Sequence, residues 1–309
     1  MQQIDESVQR LTKDILNAER LSDQEARYLV DAYYIMQEDR KRAFNQDRAL
    51  GESNEPNLVI KWLADQSATL EKQIKRALER YTDEHPVGSW MKQVTGIGPV
   101  ISAGLLANIS MNPWRCANPK TSSPSFVRCK AGKPCTESCG HRRTETVGQI
   151  WRFAGLDPTA KWKEGQVRPW NAALKTLCWK VGQSFMKFSG KEKCYYGHLY
   201  LQRKQYEIAR NEAGGNAEAA AAGAARVGKS TDAYAYYSAG KLPPAQIDAR
   251  ARRYAVKQFL SDLHAAWYRI EFGTEPPLPY PIAIQGHAHM RIAPEMSKDP
   301  TADDDMVRH

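Results

Sequence analysis

Four cysteines lie close together in the middle of the sequence, and their spacing could hold a metal ion. Twelve residues separate Cys116 from Cys129, five separate Cys129 from Cys135, and three separate Cys135 from Cys139. Zinc prefers four thiolate or imidazole ligands in a tetrahedron, often in short-spaced pairs. We expect these four cysteines to form a structural Zn²⁺ site, with His141 as an alternative fourth ligand. Four free thiols in an exposed insertion are the alternative.

A second stretch, Gly96-Ile97-Gly98-Pro99, could bind an anion. Glycine permits positive φ angles and the close approach of another backbone, and proline suits the first turn of a helix. The amides at a helix N-terminus attract anions such as phosphate. We therefore predict that Gly96, Ile97 and Gly98, preceded by Lys92, contact a nucleic-acid backbone. A tight turn between two helices, whose glycines serve packing alone, is the alternative.

Aromatic and basic residues alternate between residues 150 and 180. Aromatic rings can stack on exposed bases while cations bind phosphates. In this segment we expect Trp151 and Trp179 to belong to the core. The residues expected to contact nucleic acid are Lys161, Trp162, Lys163, Arg168, Trp170 and Lys175. Two further basic sets follow, Arg203, Lys204 and Arg210, then Arg250, Arg252, Arg253 and Lys257, and together they predict one continuous positive surface.

The charge of the chain is concentrated in its middle third. The 309 residues carry a net charge of +9, whereas residues 111–210 alone carry 19 Lys and Arg against 6 Asp and Glu, a difference of +13. Such a concentration favours a polyanionic partner, with nucleic acid as the first candidate. A basic surface that serves solubility is the alternative.

Signals for catalysis are weaker. The sequence has no Ser-His-Asp order, no phosphate-binding Walker loop and no dinucleotide fingerprint. Asp157 and Thr159 are weak catalytic candidates, and a hydroxyl group needs an activating base to become a nucleophile. Carboxylates that could form a Mg²⁺ site, if the chain were an enzyme, are those of Asp157, Glu164, Glu207 and Asp248.

Three segments together resemble a known family. They are TGIGPVISAGLLANI at 95–109, IWRFAGLDP at 150–158 and RPWNAALKTLCWKVGQSF at 168–185. In this order they resemble the C-terminal, helix-hairpin-helix domain of DEDD-type insertion-sequence transposases related to pilin-inversion recombinases. The resemblance covers roughly residues 58–210 and implies DNA binding in a phage or mobile-element setting.

The chain also departs from that family. The RuvC-like N-terminal domain, which supplies the metal-binding carboxylates, has no counterpart here. The family's catalytic serine segment is replaced by TAKWKEGQVRPW, in which Thr159 is the one hydroxyl residue. We therefore expect a DNA-binding protein that acts on duplex or branched DNA and is not an enzyme by itself. A partner-dependent or degenerate transposase, recombinase or nuclease is one alternative, and an RNA-binding or scaffolding protein is another.

The segments that carry these residues are predicted to be helices throughout. Apolar residues recur at helical spacing and strand signals are nearly absent, which predicts an all-α protein. The N-terminal helices could pair into a homodimer or form a helical layer against the core. The predicted segments are a long helical hairpin or coiled coil at 1–85, a helix-hairpin-helix domain at 86–212 with a Cys-rich insertion at 112–146, a low-complexity insertion at 213–241, a closing helix at 242–273 and a Pro-rich, then disordered tail at 274–309.

The sequence also bears on location. No apolar run is long enough to cross a membrane, and the charged N-terminus does not resemble a secretory signal. We expect a cytoplasmic protein of a bacterial or phage-infected cell, without a membrane partner. In that compartment clustered cysteines favour metal binding over disulfides.

Overall fold

The fold is built from helices. The computed structural model of the protein describes residues 11–12, 15, 20–52, 58–111 and 146–277. Within these ranges all regular secondary structure is helical, which confirms the all-α prediction. The ten helices found there are α1 (Asp23–Glu52), α2 (Leu58–Glu84), α3 (Gly88–Lys92), α4 (Pro99–Asn108), α5 (Val147–Phe153), α6 (Ala172–Phe188), α7 (Tyr195–Glu212), α8 (Ala217–Ala224), α9 (Asp232–Ser238) and α10 (Pro244–Phe272).

The chain forms two compact units. The first combines Met1–Lys92 with Ile97–Ser110, and the second combines Gln93–Gly96 with Met111–His309. The first unit therefore contains α1 to α4, and the second contains α5 to α10.

Helices α1 and α2 of the first unit form the predicted hairpin. Ser22 and Glu25 begin α1 with reciprocal side-chain bonds, since the Ser22 amide donates to Glu25 Oε2 at 2.8 Å and the Glu25 amide donates to Ser22 Oγ at 3.3 Å. The Tyr81 hydroxyl donates to Asp23 Oδ1 at 2.8 Å, near the start of α1 and the end of α2. This pairing of opposite ends makes the two helices antiparallel.

Helix α4 packs against both α1 and α2. Seven of its ten residues are buried, including the small Ser102, Ala103 and Gly104. The Arg27 guanidinium donates to the Ala107 carbonyl. The sequence analysis assigned this helix to the domain at 86–212, together with the basic helices that follow it. The structure places it in the first unit. The reason is physical, since a helix that is apolar on all sides must be enclosed by other helices.

In the second unit, α10 is the central helix and contacts α5, α6 and α7. Phe185, Tyr196 and Phe259 bring their rings together at centroid distances of 5.0 to 5.5 Å. The Tyr196 hydroxyl donates to Asp262 Oδ2 at 2.8 Å, so the one polar atom of this aromatic cluster is satisfied.

Two carboxylates, one buried and one partly buried, join α7 to α10. Glu207 is only 2% exposed, and its oxygens lie 2.6 Å from Arg203 Nη2 and 3.4 Å from Arg250 Nη1. Asp248 lies 3.0 Å from Lys204 Nζ and 2.8 Å from Arg252 Nε. These two carboxylates therefore neutralise cations inside the unit. They do not form the Mg²⁺ site for which the sequence analysis considered them.

Residues 213–241, the low-complexity insertion that the composition predicted, contain two short helices, α8 and α9. Alanine is the best helix former, and Ala220 packs into a small apolar cluster with Leu242 and Ile247. The Asn211 side chain holds the two ends of this insertion together. Its Oδ1 accepts from the Leu242 amide at 2.9 Å and its Nδ2 donates to the Leu242 carbonyl at 3.1 Å.

Candidate nucleic-acid interface

The loop after α5 is fixed against the start of α6. Asn171 caps α6, because its Oδ1 accepts from the Leu174 amide at 3.0 Å. The Asn171 amide donates to the Phe153 carbonyl at 2.9 Å. Gly155, whose φ is +66°, makes the turn within the segment IWRFAGLDP at 150–158. These contacts hold the loop and the first turn of α6 in one arrangement.

Lys175 lies where this loop meets α6. Its ammonium nitrogen is 4.0 Å from the centre of the Trp170 ring, which is a close cation–π contact. A Cβ at Gly155 would lie 2.8 Å from Lys175 Cδ and 3.0 Å from Trp170 Cγ. Glycine is therefore required at 155 both for its positive φ and for the room it leaves to Lys175 and Trp170.

The loop before α6 presents a second cation and ring. The Arg168 guanidinium carbon lies 5.3 Å from the centre of the Trp162 ring. The Trp162 indole N–H donates to the Gln166 carbonyl at 2.6 Å, which orients a ring that stays 40% exposed. Lys161 and Lys163, on either side, are exposed.

A cation on α10 also acts on Lys175 through its charge. Partial burial lowers the pKa of Lys175, and the positive charges of Arg168 and Arg253 lower it further. The charges of Arg168, in the loop before α6, and of Arg253, on α10, thus both act on Lys175 of α6; we call these three residues the cationic cluster. Across the described ranges, no carboxylate forms an ion pair with any of the three.

Trp151 and Lys257 form another cation–ring pair beside Asp157. The Trp151 indole N–H donates to the Lys257 carbonyl at 3.1 Å, and the Lys257 ammonium lies 4.1 Å from the centre of its ring. Burial lowers the pKa of Lys257 despite the negative charge of Asp157. Trp151 is half-buried, so it lies at the edge of the core and not inside it as the sequence predicted.

Trp179 is not a core residue, and that prediction was wrong. Its side chain is 60% exposed on α6. The buried stripe of this helix is filled by other residues, among them Leu177, Cys178 and Val181. Since each residue turns the helix by about 100°, Trp179 falls on the flank of the stripe.

Asp157 and Thr159 form a local turn. Asp157 Oδ1 accepts from the Thr159 hydroxyl at 2.7 Å and from the Thr159 amide at 2.9 Å. The Thr159 hydroxyl holds the pKa of Asp157 below its ordinary value, and the positive charge of Arg152, 3.8 Å away, acts in the same direction. A carboxylate with a lowered pKa is a weak proton acceptor, so this geometry offers little activation to Thr159.

The two glycines of the predicted hairpin have different surroundings. Gly96 has a φ of +97°, its carbonyl accepts from the Ser184 hydroxyl, and a Cβ there would lie 3.3 Å from Ser184 Oγ and 3.4 Å from Phe185. Gly98 is exposed, with no atom within 4 Å of such a Cβ. Of the two glycines, the structure leaves Gly98 open to an outside ligand, while Gly96 has a packing role.

The other hairpin residues are less available than the sequence predicted. Ile97 is 7% exposed, which fits a plug between helices and not a surface contact. The Lys92 ammonium lies 2.5 Å from Asp83, so its charge is already paired. The first bond inside α4 runs from the Ser102 amide to the Gly98 carbonyl at 2.9 Å. The N–H groups of Val100 and Ile101 therefore lie in the first turn, where a helix supplies no carbonyl acceptor for them.

The predicted zinc ligands Cys116, Cys129, Cys135, Cys139 and His141 lie outside the described residues. Among the residues that are described, no group of three or more His, Cys, Asp or Glu side chains could hold a metal ion. In the same ranges no helix combines the length and apolarity that a membrane span requires.

Comparison with known proteins gives no relative. No described protein family, no curated protein and no solved structure matches the chain. The resemblance to transposase C-terminal domains therefore stays a prediction carried by three sequence segments. The functional argument depends instead on the charges and contacts around α6 and α10.

Proposed function

We propose that this chain binds nucleic acid, with DNA as the first candidate, by holding backbone phosphates on the cationic cluster. The observation that carries the proposal is that the charges of Arg168 and Arg253 both act on Lys175, while no carboxylate of the described residues forms an ion pair with any of the three. Like charges that repel one another destabilise the free protein locally. A phosphate bound among them would replace this repulsion with attraction.

The neighbouring cations make the contrast clear. Arg203 and Arg250 pair with Glu207, and Lys204 and Arg252 pair with Asp248. Those four cations form ion pairs with carboxylates inside the fold, whereas within the described residues the cationic cluster forms none, and only the longer-range charge of Glu207 acts on Arg253. The exposed Lys161 and Lys163 enlarge the same positive loop. Unpaired positive charge spread over several residues suits a polymer of phosphates better than a single small anion.

The sequence resemblance gives this proposal its setting. DNA binding by a mobile-element or phage protein in the cytoplasm is the activity that the three family-like segments imply. Two of these segments, residues 150–158 and 168–185, contribute Gly155, Arg168 and Lys175 to the surface described above. The Val100 and Ile101 amides, which come before the first hydrogen bond of α4, offer a separate phosphate contact that carries no base information.

A salt titration with matched charge variants tests the proposal. Binding of the full chain to duplex, forked and single-stranded DNA and to RNA is measured across a range of salt concentrations. We expect Arg168→Gln with Lys175→Gln to weaken binding and to reduce the salt slope by about two, since each lost phosphate contact removes about one.

The matched control removes one arginine and one lysine that are exposed elsewhere in the second unit. Arg226→Gln with Lys229→Gln makes the same change in net charge. We expect it to leave the affinity nearly unchanged. Equal losses in the two double variants, or wild-type binding that does not depend on salt, would contradict the proposal.

A further inference from the structure

The exposed indole of Trp179 lies on the same flank of α6 as the cationic cluster. Lys175 is four residues before it and Gly182 is three residues after it, so all three share one side of the helix. That side faces α10, because a Cβ at Gly182 would lie 3.3 Å from Arg252 Cβ and from Val256 Cγ2. Trp179 therefore lies at the edge of the contact between α6 and α10.

Trp179 differs from the tryptophans near it. Trp151, Trp162 and Trp170 each have a cation over the ring, at 4.1, 5.3 and 4.0 Å from the ring centre. In the described ranges neither a cation nor another aromatic ring stacks on Trp179, and its side chain is 60% exposed. Leaving so much apolar surface in water is unfavourable. A flat ligand placed on this ring would remove that surface from water.

We propose that Trp179 is a stacking platform for an unpaired base, and that the strand carrying the base is held through its phosphates by the cationic cluster. This inference rests on the proposed function and names its substrate class, a single strand or an unpaired segment. Base faces inside a duplex are covered by their neighbours, so an indole on a rigid helix can reach only a base that has left the stack.

The spacing along α6 suits one strand. One helical turn, with a rise of about 5.4 Å, separates Lys175 from Trp179. A phosphate at the cationic cluster and a base on Trp179 can therefore belong to the same nucleotide or to neighbouring ones. Stacking needs no particular base, because every base has a π face. We expect little sequence preference at this position.

The test compares Trp179→Leu and Trp179→Phe on three ligands of equal length. The ligands are a single strand, the same strand in a duplex, and a strand of abasic sites that keeps the phosphates and lacks the bases. The leucine variant keeps an apolar side chain and removes the π face, whereas phenylalanine retains a ring. Leu201→Ala, an exposed apolar change on α7, is the matched control.

We expect Trp179→Leu to weaken single-strand binding by roughly 5- to 150-fold, the range that stacking of one base gives. Affinity for the duplex and for the abasic strand should change by less than about twofold, with the salt slope unaltered. Trp179→Phe should keep most of the affinity, and Leu201→Ala should keep nearly all of it. DNA and RNA strands are both measured, and the loss should appear with whichever polymer binds.

Several outcomes would overturn the inference. An equal loss on all three ligands would show that Trp179 supports the fold or the phosphate contacts. No loss on any ligand would leave the indole to another partner, such as a protein. If the wild-type chain binds with salt dependence and the Arg168→Gln, Lys175→Gln variant loses that binding, the proposed function stands even where the stacking inference fails.

Discussion

The ammonium group of Lys175 lies 4.0 Å from the centre of the Trp170 ring, and this contact exists because residue 155 has no side chain. A methyl group at Gly155 would overlap both partners, at 2.8 Å from Lys175 Cδ and 3.0 Å from Trp170 Cγ. The turn of the FAGLDP segment thus determines where a cation of the proposed phosphate site can lie.

We predict that Gly155→Ala weakens both the fold and binding. The positive φ alone costs about 1–2 kcal/mol for a non-glycine residue, and the overlap must also displace Lys175 or Trp170. Gly165→Ala is the matched control, since Gly165 also has a positive φ, +79°, and no atom lies near its missing Cβ. Chemical unfolding and DNA binding are both measured. Equal affinities of the two variants would contradict the positioning role.

The two hairpin glycines give a second prediction. Gly96→Ala should lower the free energy of unfolding by about 1–2 kcal/mol, because its φ is +97° and Ser184 Oγ would lie 3.3 Å away. Gly98→Ala should stay within about 0.5 kcal/mol of the wild type. If the α4 amides bind phosphate, Gly98→Ala should still weaken binding to duplex DNA by roughly tenfold. Unchanged affinity would remove the hairpin from the interface.

Removing the Glu207 carboxylate should destabilise the second unit strongly. Glu207→Gln leaves Arg203 and Arg250 without their buried counter-charge, which costs about 3–5 kcal/mol. The control is Glu212→Gln, which breaks an exposed pair with Lys241 and should cost about 0–1 kcal/mol. Urea unfolding compares the two. A similar small loss in both variants would mean that the buried pairing contributes little.

Acid should destabilise the protein partly through His264. Burial lowers the pKa of His264 from 6.5 to about 4, and its Nε2 has no hydrogen-bond partner among the described residues. The unfolded chain takes up a proton near pH 6.5, whereas the folded chain does so near pH 4. The stability from the neutral imidazole is therefore complete above pH 6.5 and is lost as the pH falls toward 4.

The size of this effect is about 3 kcal/mol. It should show as a difference between the wild type and His264→Leu, because the leucine cannot take up a proton in either state. Unfolding free energies of both proteins are measured between pH 4 and pH 7. The same pH dependence in the two proteins would contradict a buried, neutral His264.

The cysteine prediction is tested by elemental analysis. We propose that the purified chain carries about one zinc ion, and that Cys135→Ser releases it, because a structural site needs all four ligands. His141→Ala separates the two proposed ligand sets, since it should retain zinc if four cysteines bind the metal and lose it if the histidine does. A wild-type preparation with almost no zinc would contradict the site.

Signals that act within a few residues predicted the fold well. Ser22 and Glu25 lie at the start of α1 and Pro244 lies at the start of α10, and residues of these types favour the first turn of a helix. The end of α10 at Gly273, with a φ of +66°, was equally readable from the sequence. Each of these signals depends on a few neighbouring residues.

Contacts between distant parts of the chain were less predictable. The sequence named Arg168 and Lys175 but gave no reason to select Arg253 from the basic residues of α10, because carboxylates of other helices decide which of those arginines are neutralised. Trp179 was assigned to the core by its residue type. Its angle relative to Leu177 and Cys178 would have placed it outside the buried stripe.

The division at Gly96 has a practical consequence for dissecting the protein. Neither unit is one continuous stretch, since Gln93–Gly96 separates the two parts of the first. A fragment beginning at residue 93 would carry α4 without the hairpin that covers it, which exposes apolar surface and promotes aggregation. A fragment beginning at residue 111 would lack the Thr95 and Gly96 carbonyls that accept from Cys194 and Ser184. Truncation at a single position therefore damages one unit or the other, and the intact polypeptide is the proper material for biochemistry.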